Sequence, residues 1–105
     1  MSKLKFPAMF KQEADRLGWK KGKSVSREKC YLYTSMYSAG GGTITYRIAR
    51  LPKERGLKLY DLRRNTMSTT SLLKKLTLPE VLYLMNEITQ ADRAFRKLMI
   101  TPNWD

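Results

Sequence analysis

The sequence predicts an α+β fold in which a three-stranded antiparallel sheet packs on a long C-terminal helix and a short N-terminal helix, in the order α-β-β-β-α-α. Three observations predict it. Apolar residues recur at spacings of three and four from Val81 to Met99, and side chains alternate with a period of two from Cys30 to Tyr37. Gly40, Gly41 and Gly42 then part that alternating run from a second segment rich in β-branched residues. The 105 residues suit a single domain, 1–105, with one modest core.

The first helix is predicted over about 7–17. Pro7 is tolerated at a helix start, Met9, Phe10, Ala14 and Leu17 supply an apolar face, and Gly18 suits the position after the last turn. Residues 19–27, WKKGKSVSR, show no periodicity and predict a basic loop. In the first strand Cys30, Leu32, Thr34 and Met36 share one face, and Tyr31, Tyr33, Ser35 and Tyr37 share the other. The three glycines permit the positive φ of a tight reversal into TITYRIARL, residues 43–51, the second strand, which Pro52 is expected to stop. A turn over 53–56 leads to a third alternating run over 57–63. Residues 65–71 are polar and turn-like, with Ser68 placed to cap a short helix over about 69–75. Thr77-Leu78-Pro79-Glu80 is a capping box: the threonine oxygen accepts from the third helical amide while Glu80 reaches back to the Thr77 amide. It opens the long helix over about 78–99, whose apolar stripe is the largest burial on offer and is expected to cover one face of the sheet.

Charge is distributed unevenly along this framework. The chain has 21 Lys+Arg against 9 Asp+Glu, and residues 1–64 hold sixteen of the cations and five of the anions, a net charge of +11. The remaining segment is nearly neutral. At 42% hydrophobic residues the chain is too apolar to be a disordered basic tail, so this charge belongs to a folded surface. Concentrated like charge opposes compaction, and a polyanion that neutralises it gains from released counterions as well. The expected partner is therefore nucleic acid, RNA or DNA, with RNA or a single strand favoured because no helix carries the cations. An acidic protein surface, as met by a small inhibitor or subunit of a nucleic-acid-processing machine, is the alternative. A monomer and a homodimer are both compatible with the composition.

Several chemistries are disfavoured by composition. Histidine is absent, which removes the commonest general base and metal ligand, along with Ser-His-Asp and Cys-His arrangements. Glu28, Glu54 and Asp61 each sit beside cations that pair with them more simply than a metal would, and Gly40–Gly42 lacks the lysine and hydroxyl of a P-loop. No catalytic residue, metal or cofactor is expected. Cys30 cannot close an internal disulfide, the first ten residues lack an apolar signal core, and no apolar run approaches the ~18 residues of a membrane span. A cytoplasmic protein without a membrane partner is expected.

The candidate phosphate contacts are Lys20, Lys21, Lys23, Arg27 and Lys29 of the front segment, with Arg47, Arg50, Lys53, Arg55, Arg63 and Arg64 of the later strands. Arginine's planar fork grips phosphate bidentately, so its prevalence in the strands is pointed. Tyr31, Tyr33, Tyr37 and Tyr46 are candidates for a platform on which unpaired bases stack. Trp19 has two placements open to it, beside the bound strand or packed back on the first helix. If six to ten cations engage phosphates, affinity is expected to fall ~10³ to 10⁵-fold between 50 and 200 mM salt. Helix-strand-strand-strand-helix invites comparison with double-stranded-RNA-binding domains. That family opens its final helix with a lysine cluster where this chain has Thr77-Leu78-Pro79-Glu80, so no family is assigned.

Overall fold

The computed structural model describes residues 5–23, 29–36, 42–55, 57–66 and 70–100, the side chains of Lys23, Lys53, Glu54, Leu57, Lys58, Met99 and Ile100 excepted. In chain order the elements are α1 (Ala8–Leu17), β1 (Lys20–Lys23), β2 (Lys29–Ser35), β3 (Ile44–Glu54), β4 (Leu57–Asn65), β5 (Thr70–Leu76) and α2 (Leu78–Ile100). The class is α+β as expected, but the sheet has five strands rather than three, in spatial order β1-β2-β3-β4-β5 with every neighbour antiparallel.

Both added strands are edges. Lys20–Lys23, expected to be loop, pairs with β2 in the register Lys20↔Leu32 and Gly22↔Cys30. Leu72, Leu73 and Leu76, whose spacing suggests a helical turn, belong to β5. There Leu73 pairs with Leu62 and Leu76 with Tyr60, so three steps along β5 match two along β4. The extra residue is a β-bulge, marked by Lys75 at φ 59° and by its amide donating to Asp61 Oδ1 at 3.4 Å. Pro52 does not stop β3 either. Leu51 pairs with Leu59 and Glu54 with Leu57, a second register shift that accommodates a residue without an N–H. The hairpin glycines Gly40 and Gly41 lie outside the described residues, as do Ser68 and Tyr37.

α1 closes and α2 opens as the sequence indicates. Gly18, at φ 82°, closes α1: its amide donates to Asp15 O at 3.3 Å and the Trp19 amide to Ala14 O at 2.8 Å, the double bond of a Schellman motif. At α2 the Thr77 amide donates to Glu80 Oε1 at 2.9 Å and the Glu80 amide to Thr77 Oγ1 at 3.4 Å. The Thr77 donors hold the Glu80 carboxyl below its ordinary range.

Alternation divides the sheet into two unlike faces. Tyr31, Ile48, Tyr60 and Leu62 face the helices and form the core with Phe6, Phe10, Trp19, Val81 and Met85. Phe10 stacks on Tyr60 with centroids 5.8 Å apart and meets Tyr31 edge-on at 5.1 Å. No helix among the described residues is long and apolar enough to cross a membrane.

Candidate functional site

The face of the sheet away from both helices is where the strand cations gather. Cross-strand register sets Lys20 of β1 against Leu32 of β2, Leu32 against Arg47 of β3, Arg47 against Arg63 of β4, and Arg63 against Leu72 of β5. One row across the whole sheet thus carries Lys20, Arg47 and Arg63, interleaved with two leucines. With strands about 4.8 Å apart, the outer two cations of that row are separated by roughly 14 Å. Arg47 and Arg63 are half-buried, lying along the surface, and neither has an ion-pair partner among the described residues. Like charges directly opposite each other destabilise a sheet, so this pair opposes folding where nothing anionic covers it.

The next row toward the β3–β4 turn holds Gly22, Cys30, Ala49 and Asp61. Burial pushes the Cys30 thiol up, with the Arg47 charge pulling against it. The thiol is 1% exposed and packs within the sheet. The Asp61 carboxylate is engaged at the β5 bulge.

The other candidates separate from this row. Lys21 and Lys29 project on the helix side of the β1–β2 edge and border a cavity there. Arg64 is exposed opposite Tyr46, and exposed Arg55 sits in the β3–β4 turn at φ 52°. Arg50 is 6% exposed, with its guanidinium 5.5 Å from the Tyr60 ring centroid and Nη1 donating to Leu51 O. It is a core residue that reaches no ligand. Arg27 and the side chains of Lys23 and Lys53 lie outside the described residues. Among the described candidates, Lys20, Arg47 and Arg63 share one row and Lys21 and Lys29 border the cavity on the other side, while Arg50, Arg55 and Arg64 join neither set.

The stacking platform requires a correction of a similar kind. Tyr31, Tyr33 and Tyr46 share the face that the helices cover. Tyr31 is 3% exposed, Tyr33 stacks on Trp19 with centroids 5.3 Å apart, and Tyr46 lies 6.4 Å from the same indole. Trp19 is 2% exposed and donates through Nε1 to Thr89 Oγ1 at 2.7 Å, so it is buried, with α2 and the sheet rings as its partners instead of a bound strand. None of these rings lies on the helix-free face of the sheet. Their period-two spacing was real, but helix burial and base stacking impose the same spacing.

A buried carboxylate beneath the tyrosines escaped the sequence reading. Asp92 of α2 accepts from the Tyr33 hydroxyl, from Ser35 Oγ at 3.2 Å, from the Met36 amide at 2.7 Å and from Arg96 Nε at 2.7 Å. Burial alone pushes its carboxyl up, but these donors outweigh it and hold the group below the usual aspartate range. The same contact and burial push the Tyr33 hydroxyl up to about 12. The cluster locks the end of β2 to α2 and is structural. Its sequence signal is an acid on the apolar stripe four residues before an arginine. Lys5 and Lys11, which join Lys21 and Lys29 at the cavity, were also missed, because only tertiary pairing brings α1 beside β1.

Comparison with known protein families, with curated proteins and with solved structures finds no match for this chain, so geometry and charge alone bear on its function.

Proposed function

We propose that this chain is a non-enzymatic nucleic-acid-binding module whose contact surface is the helix-free face of its sheet. The observation that carries the reading is the registered pair Arg47↔Arg63, with Lys20 in the same row, on a face neither helix covers and without an ion-pair partner among the described residues. Guanidinium forks on adjacent strands suit successive phosphates of one backbone. Phosphates, not stacked bases, are the recognised feature, since the tyrosine and tryptophan rings that the structure describes near the sheet face the core. A single strand or RNA is favoured over the major groove of duplex DNA, because the cations sit on strands rather than on a helix able to enter that groove.

Half-buried Leu32 and Leu72 within the same row favour a second reading, an acidic protein surface that also offers apolar contacts. Titration of a labelled single-stranded RNA separates the two. With three phosphate contacts on a single strand, affinity falls roughly twentyfold between about 50 and 200 mM salt. Absence of binding at the lower salt, with a complex to a partner protein that survives RNase and DNase, rejects the first reading for the second.

A further inference from the structure

We propose that the cavity between the start of α1 and the β1–β2 edge is a pocket for a terminal phosphate carried on a flat apolar body, chemically a nucleoside monophosphate. The cavity has a volume of about 550 Å³, within the range of small-molecule sites. Lys5 and Lys11 border it from the α1 side and Lys21 and Lys29 from the strand edge, and no carboxylate lines it among the described residues. Phe6 and Tyr31 form its apolar wall, edge to face with centroids 4.9 Å apart. The hydroxyl of the wall residue Tyr31 is buried and has no hydrogen-bond partner among the described residues.

Each feature selects part of the ligand. Four lysines bordering one cavity make its surroundings positive, and lysine serves phosphate as a point charge. A terminal phosphate carries a charge of about −1.5 to −2, against a single charge on each phosphate inside a strand, so it gains most from this cluster. The aromatic wall suits the planar body of a base. Two sources share this chemistry: a free nucleotide, and the 5′-phosphorylated end of a strand. The second source rests on the strand-binding reading above, whereas the first does not.

Equilibrium binding of adenosine 5′-monophosphate to the full chain tests the pocket, with adenosine as the comparison. The expected result is binding of the monophosphate at least about tenfold tighter than adenosine, in keeping with one or more charge-assisted contacts. A Lys11→Gln/Lys29→Gln double variant is expected to lose about tenfold or more, while Lys74→Gln on the far edge strand, equal in kind but remote, changes nothing. All of these side chains are exposed, and an unchanged thermal melt confirms that the variants fold. A 5′-phosphorylated RNA that outbinds its 5′-hydroxyl twin by a similar factor assigns the strand end. Equal affinities for the twins, with monophosphate binding intact, assign the free nucleotide. Monophosphate no tighter than adenosine, or a double variant indistinguishable from Lys74→Gln, overturns the pocket, and salt-sensitive RNA binding that persists then leaves the sheet-face reading standing.

Discussion

Asp92 is fully buried and receives four hydrogen bonds, three from the end of β2 and one from its own helix, so its charge is stabilised only in the folded state. Asp92→Asn keeps the shape but sets an amide against at least one donor, with an expected cost of roughly 2 kcal/mol or more at pH 7. Because the folded carboxyl titrates below the unfolded one, its contribution is complete above about pH 4 and fades as pH falls further. The gap in unfolding free energy between wild type and Asp92→Asn should therefore narrow toward pH 3; urea titrations at pH 7 and pH 3 that give the same gap contradict this. Tyr33 works in the opposite sense. Its folded hydroxyl titrates near 12 and the unfolded one near 10, so its contribution is present below pH 10 and is lost as pH rises from 10 to 12. Tyr33→Phe is expected to remove that alkaline component, read as a flatter dependence of the urea midpoint over that window.

Among the elements, the two edge strands show what the sequence conceals and why. β1 is KKGK: edge strands carry lysine because it deters pairing with other chains, and the same lysines erase the apolar alternation by which strands are recognised. β5 conceals itself differently, since its bulge places Leu73 and Leu76 on one face at a spacing of three and so imitates a helical turn. By contrast, the helix starts and stops are local. The Gly18 closure and the Thr77–Glu80 capping box use bonds within six residues, and both are legible without tertiary information. Thr77→Ala is expected to cost about 1 kcal/mol, a drop in melting temperature of roughly 4–8 °C. No change in the melt would show that packing of α2 alone sets its first turn. Of the candidate site, the residue types were legible while their grouping was not. Arg47 and Arg50 are three apart in one strand, and that odd spacing sends one to the helix-free face and the other into the core.

At the scale of the molecule, the two faces of the sheet hold different chemistry. The helix side holds the aromatic core and the Asp92 cluster, while the other side sets Arg47 beside Arg63 with Lys20 in the same row. A surface kept for an anion should weaken the free protein slightly, so Arg63→Gln is expected to leave the melting temperature unchanged or raise it by a degree or two, as removal of a like-charge cross-strand contact requires. A fall of several degrees would make Arg63 a structural residue. The most direct test of the proposed role is the dependence of RNA affinity on salt, measured for wild type and for the Arg47→Gln/Arg63→Gln double variant on the same single-stranded oligonucleotide. Loss of two phosphate contacts should reduce the slope of log affinity against log salt by about 1.4. An undiminished slope in the double variant would contradict the account.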